Sequence, residues 1–160
     1  MAALFKWFDR ATLYVANATW ESTGALGSAS IAVNSQPWTA ALLTSAYTFS
    51  AGHTVYADLT NELTTTGGYT VGGLLIPGLS YTQSSTVSNF GASSAVWTAS
   101  GGGIAAFRYA AIYLNATLAG VVKPLAFLID NNGADVPATT APNTLSLTWN
   151  ATGVWQMTHS

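Results

Sequence analysis

Residues 104–130, IAAFRYAAIYLNATLAGVVKPLAFLID, constrain this chain more than any other stretch. In the first half Phe107, Tyr109, Ala111 and Tyr113 fall on one side of an extended chain, and Arg108, Ala110, Ile112 and Leu114 on the other, because side chains alternate along a strand. Both sides are mostly apolar, so a strand of this kind has to be covered on both faces. Asn115, Gly120 and the Lys123-Pro124 pair interrupt the run before a second apolar segment, residues 125–130. The two segments read as the paired centre of a two-layer β domain.

Around that centre lie shorter runs of strand character: residues 31–33, 38–44, 74–82, 87–90, 95–99, 145–149 and 154–158. Pro77 puts one of them at a sheet edge or a bulge. Together they predict about eight short strands at roughly eight- to twelve-residue spacing, the pitch of a sandwich or jelly roll. Helix is expected in one or two short pieces only. One covers residues 55–63, where Asp58 and Glu62 would share a face. The other is N-terminal, where Leu4, Phe5, Phe8, Ala11, Thr12 and Val15 fit a helical stripe although Leu13-Tyr14-Val15 also fits a strand. The fold class is therefore all-β: a single-domain β-sandwich or jelly roll, with residues 1–30 as an N-terminal helix or arm and residues 31–160 as the body. Phe107, Tyr109, Ile112, Leu125, Phe127, Leu147 and Trp149 are the expected core. In the arm, Phe5, Trp7, Phe8 and Tyr14 are candidates for gripping a neighbouring subunit.

Charge narrows the function. Only 6% of residues are charged, against roughly 25% in an ordinary soluble domain, and the net charge is −2. Repulsion between copies is weak, which suits a subunit of an assembly. Four basic residues spread over the whole length leave no footprint for nucleic acid. No apolar run reaches the ~18 to 20 residues of a helical membrane span. The opening MAALFKWFDR lacks the basic-then-apolar order of a secretory signal. Cysteine is absent, which removes disulfides and thiolate metal sites.

Chemistry is hard to assemble from what remains. Asp58 and Glu62 could act as an acid and base pair or bind a cation, but no Lys, Arg or His stands beside them in sequence and they read as a solvated face. Asp130, Asn132 and Asp135 offer oxygens to calcium, yet the glycine and the closing glutamate of a calcium loop are missing. His53 and His159 have no orienting acid, and the glycines at 101–103 lack the following Lys-Ser or Lys-Thr of a phosphate loop. Sequons stand at Asn17, Asn115 and Asn150. No catalytic, cofactor-binding or metal residue is assigned, and no cofactor is expected.

The order of segments carries one further signal. WTAALLTSAYTF, YADLTNELTTTGGYTVGG, TVSNFGASSAVWTA, FRYAAIYLN, PLAFLIDNNGAD and LSLTWNATGVWQMT together resemble a family of small structural proteins of tailed bacteriophages, over most of the chain from residue 31 onward. The resemblance implies a virion component of capsid decoration or cement type. Its β-sandwich or jelly-roll body would sit on the capsid exterior after synthesis in the bacterial host cytoplasm. It implies a homo-oligomer, trimer or dimer, partnered with the major capsid protein and not with nucleic acid or membrane. The alternative is a glycan-binding β module at the tail or a fibre, with Trp20, Trp38 or Tyr69 stacking on sugar rings.

Overall fold

A computed structural model describes the chain over residues 4–10, 37–83, 87–118, 120–149 and 155–158. Its first strands in chain order are β1 (Leu4–Trp7), β2 (Trp38–Leu43), β3 (Leu74–Leu75), β4 (Ser80–Gln83), β5 (Val87–Gly91) and β6 (Ala95–Thr98). They are followed by β7 (Tyr109–Leu114), β8 (Thr117–Leu118), β9 (Val121–Val122), β10 (Leu125–Asp130), β11 (Thr144–Leu147) and β12 (Trp155–Thr158). The protein is all-β, and every strand pairing among the described residues is antiparallel.

At the centre β10, β7 and β2 lie side by side, and every residue of all three is buried. Adding β1 beyond β10 and β3 beyond β2 completes a five-stranded sheet of order β1-β10-β7-β2-β3. Registration places Leu42, Ala110, Ile129 and Phe5 in one cross-strand row, and Leu43, Tyr109, Asp130 and Leu4 in the next, on the opposite face. A bulge at Ala126 sets Leu125 opposite Tyr113 and Phe127 opposite Ile112, so these two large side chains serve different faces.

The second half of the chain is one long antiparallel ribbon. Partners nest outward from its tip: Leu118 with Val121, Tyr109 with Asp130, Phe107 with Val136, Ile104 with Thr139, Thr98 with Thr144, Ala95 with Leu147, and Val87 with Thr158. Bending of this ribbon brings the β6-β11 pair over the face that carries Leu42, Ala110 and Ile129. The other face is covered by residues 44–73. Tyr47 stacks edge-on to Tyr109 with centroids 5.7 Å apart, Tyr56 lies on Tyr113 at 4.7 Å, and Phe49 receives Lys6.

Tight contacts between these layers fall at glycines. A Cβ on Gly73, whose φ is +78°, would sit 1.9 Å from the carbonyl oxygen of Ala40, so β3 can meet β2 only with a bare backbone there. At Gly67 the φ is +62° and a Cβ would lie 1.7 Å from the carbonyl oxygen of Gly103, which joins the 66–69 turn to the ribbon.

Several expectations need correction. Residues 55–63 are not a helix but a single 3-10 turn, Tyr56–Asp58. The carboxylate of Asp58 takes the N–H groups of Thr54 and Val55, and a positive φ at Asn61 then redirects the chain so that Glu62 bridges to Leu43. Leu4–Trp7 is a strand, and not part of a helical stripe: Phe5 and Trp7 pack on Phe127 with centroids 5.4 and 5.3 Å away, while Lys6 points to the other face. The expected eight or so short strands are matched by nine of four residues or more among the described residues, beside which β3, β8 and β9 are two-residue pieces that leave little trace in sequence. Phe107, Tyr109, Ile112, Leu125 and Phe127 are buried as expected, whereas Leu147 and Trp149 pack against the core only half-buried. The predicted strand at 31–33 lies outside the described residues.

Leu128 is fully buried mid-strand between the Ala111 row and β1, so Leu128→Ala is expected to cost ~2 to 5 kcal/mol. Val122→Ala at the exposed ribbon tip should stay within ~0.5 kcal/mol. Urea denaturation of the two variants checks both numbers.

Candidate functional site

Of the four arm residues proposed for an interface, Phe5 is exposed and Trp7 half-buried. Phe8 is fully buried within its own chain, its ring 5.3 Å from that of Phe49, and so cannot serve a neighbour. Tyr14 lies outside the described residues. Leu4 joins Phe5 on the exposed part of β1, and β1 ends the five-stranded sheet among the described residues. The sugar-stacking roles are corrected as well: Trp38 and Tyr69 are both buried, and Trp20 is outside the described residues.

Glu62 is not on a solvated face with Asp58. Its carboxylate is the hub of a polar cluster between the central sheet and residues 44–73. Tyr56 Oη donates to Oε2, Tyr69 Oη donates to Oε1 at 2.5 Å, and the Gly72 N–H donates to Oε1 at 2.7 Å. Tyr69 Oη also accepts the Leu42 N–H at 3.0 Å, and Leu63 N–H donates to the Leu42 carbonyl. A tyrosine hydroxyl and a short return of chain thus replace the strand partner that β2 lacks beyond two-residue β3. Tyr113 Oη closes the cluster on the Gly72 carbonyl at 2.7 Å, and Lys123 Nζ lies 5.2 Å above the Tyr56 ring. Burial, then the bond to Glu62, pushes the phenols of Tyr56 and Tyr69 far above their ordinary range. Burial and the Glu62 charge push Tyr113 to about 12. At neutral pH all three are hydroxyl donors, and the cluster ties the loop to the sheet.

Other charges are engaged in the same way. Lys6 Nζ reaches Asp130 Oδ2 at 2.8 Å and lies over the Phe49 and Tyr109 rings, while the Gly133 N–H donates to Asp130 Oδ1. Burial works to raise the Asp130 carboxyl, but Lys6 and Gly133 outweigh it and hold it below the usual range. Arg108 Nε donates to Asp135 Oδ1 at 3.2 Å. Asp130 and Asp135 therefore serve different cations of the chain, not a shared calcium ion, and no group of three His, Cys, Asp or Glu among the described residues is placed to hold a metal. His53 Nδ1 lies 2.8 Å from Tyr47 Oη in a half-buried pair, and His159 is outside the described residues.

A cavity of about 170 Å³ opens between the layers. Leu42, Ala110 and Ile129 form its floor, and Trp97, Leu145 and Leu147 face them from the β6-β11 pair. Arg108, Asn131 and Ser146 are its polar lining residues. The indole N–H of Trp97 is buried without a hydrogen-bond partner among the described residues. With this geometry in hand, comparison with known protein families, curated proteins and solved structures finds no match to the chain.

Sequence reasoning missed the Glu62 hub and the Lys6–Asp130 pair. The spacing of Tyr56, Glu62 and Tyr69 around a Thr/Gly-rich loop was the available signal for the first. Nothing local signals the second, whose partners stand 124 residues apart.

Glu62→Gln keeps the shape but turns one oxygen into a donor facing donors, so a loss of ~1 to 3 kcal/mol is expected in chemical denaturation. The pH profile follows from the shifted groups. Asp58, held down by the Thr54 and Val55 N–H groups, and Asp130 contribute stability that is fully present above about pH 4 and is lost as pH falls through their lowered values. The raised tyrosines contribute stability that is present below about pH 10 and is lost above it. Melting temperature should therefore fall at both extremes, and Lys6→Met should flatten part of the acid limb.

Proposed function

We propose that this chain is a non-enzymatic structural protein of a tailed-bacteriophage virion, a cement or decoration protein on the capsid exterior that bridges major capsid subunits as a homo-oligomer, trimer or dimer. One observation carries the reading: the few charges are engaged within the chain while large apolar side chains stand exposed at the end strands of the sheet. Every charged residue among the described ones engages another group of its own chain. Among the described residues the exposed large apolar ones are Leu4, Phe5, Val71, Leu75, Val96 and Val122, and Leu4, Phe5 and Leu75 belong to the strands at the two ends of the five-stranded sheet. Contacts made through such edges desolvate few charges and depend little on salt. Bound across neighbouring coat subunits, the chain adds free energy that the shell must give up before it opens.

The test uses capsids assembled without this protein and then supplied with it. Wild-type chain is expected to co-sediment with the shells at low and high salt alike and to raise their disassembly temperature. Phe5→Asp, at an exposed position, should reduce binding by about tenfold, the ratio that corresponds to ~1.4 kcal/mol. Equal disassembly temperatures with and without the chain would overturn the proposal.

A further inference from the structure

Residues 131–135, which stand opposite Arg108 in the ribbon, contain the only Asn-Gly pair of the sequence, Asn132-Gly133. Asn131 closes a turn around that pair: its carbonyl accepts the Ala134 N–H, and its Nδ2 donates to the Ala134 carbonyl, both at 3.1 Å. The two middle residues take φ of +52° and +77°, as in the mirror-image turns that favour Asn-Gly. Both are exposed, and a Cβ built on Gly133 would meet nothing within 4 Å.

An Asn-Gly pair carries its own electrophile and nucleophile. Attack of the Gly133 nitrogen on Cγ of Asn132 forms an N–Cγ bond and closes a five-membered cyclic imide. The Cγ–Nδ2 bond breaks, and ammonia leaves with the proton lost from the glycine nitrogen. Water then opens the imide at either carbonyl, giving aspartate or, where the main chain is rerouted through the side chain, isoaspartate. The step needs water alone, and the missing Cβ at Gly133 leaves the approach unobstructed. The fold adds a control: the Gly133 N–H donates to Asp130 Oδ1 at 3.0 Å, while Lys6 holds Oδ2 at 2.8 Å. A proton lying against a carboxylate is harder to remove, because the amide anion that attacks would form beside a negative charge.

We propose that Asn132 is a self-modification site, converting to aspartate and isoaspartate at a rate set by the hydrogen bond between Gly133 and Asp130. The site is intramolecular and does not depend on the chain being a capsid component. Its product places a new carboxylate in the stretch between Asp130 and Asp135, and the isoaspartyl form lengthens the main chain of the turn by one methylene. Added to a net charge of −2 on a chain with 6% charged residues, one further negative charge is a large relative change, and it increases repulsion between copies.

The test follows the full chain over weeks in mildly alkaline buffer, with peptide mapping by mass spectrometry to read the amide-to-acid mass gain at each asparagine. Conversion is expected at Asn132, with isoaspartate as the larger product, while Asn131, which precedes Asn and not Gly, stays intact over the same period. In guanidinium chloride, where the bond to Asp130 is lost, Asn132 should convert several-fold faster than in the folded chain. Asp130→Ser, measured folded, should also convert several-fold faster than wild type; Asp130→Asn, which removes the charge and keeps the shape, gives the same reading if the first variant does not fold. Asn132→Gln, whose longer side chain cannot close the five-membered ring, should remain unmodified. An intact Asn132 in the folded chain, once the denatured chain has converted completely, would overturn the proposal. So would equal rates in the folded and denatured chains, or a wild-type rate in a folded Asp130 variant.

Discussion

Three neighbouring strands with no exposed residue on either face impose the architecture. A sheet centre of this kind is stable only when two separate layers cover it. The chain meets the requirement with unlike materials. On one face the folded ribbon supplies a second pair of strands, β6 and β11, bringing Trp97 and Leu145 over the Leu42–Ala110–Ile129 row. On the other it uses residues 44–73, which contain almost no regular structure but carry Tyr47, Phe49, Tyr56, Leu63 and Tyr69. An irregular cover brings backbone groups into partly dry surroundings, and each needs a partner. The Glu62 cluster supplies them, linking the loop to β2 through Tyr69 and to the Gly72 turn in one set of hydrogen bonds.

Scarcity of charge has a structural consequence that differs from its effect on solubility. In most domains charged residues spread over the surface and each contributes little. Here Lys6 with Asp130 fastens β1 to β10 beside two aromatic rings, Asp58 replaces a helix start, and Glu62 organises a cover loop. Because hydrogen bonds to ionised groups are the stronger kind, placing the few charges at junctions between layers does more for a unique fold than the same number on the surface would.

Legibility in the sequence followed the range of the forces involved. The run 109–114 was readable because alternation and burial on both faces act on adjacent residues, and 38–43 for the same reason. Leu4–Trp7 was not, since four apolar or aromatic residues in five fit either period, and its strand state is decided by Phe127 and Asp130 at the far end of the chain. Residues 55–63 carried a helical spacing of carboxylates, but a side chain that bonds its own preceding N–H groups competes with helix propagation, and that competition was decided locally at Asp58. Of the sheet order only the β7-β10 pairing was legible. Antiparallel pairing of β2 with β7 and of β1 with β10 joins segments whose separation leaves no periodic trace.

Those same long-range pairings explain why packing is complete in one place and open in another. Along the Ala41–Ala111–Leu128 row small residues sit where the sheet is crossed by close-lying cover, and the space closes. Along the Leu42–Ala110–Ile129 row the facing layer hangs from a ribbon whose partners shift between Tyr109 and Phe107, where Tyr109 meets Asp130 but Phe107 meets Val136. That shift inserts residues 131–135 on one side of the ribbon with only Arg108 opposite, between the central sheet and the β6-β11 pair that the bend lays over it. Arg108 and Asn131 line the cavity beside that insertion. An apolar cavity between the layers is thus a consequence of how the ribbon turns.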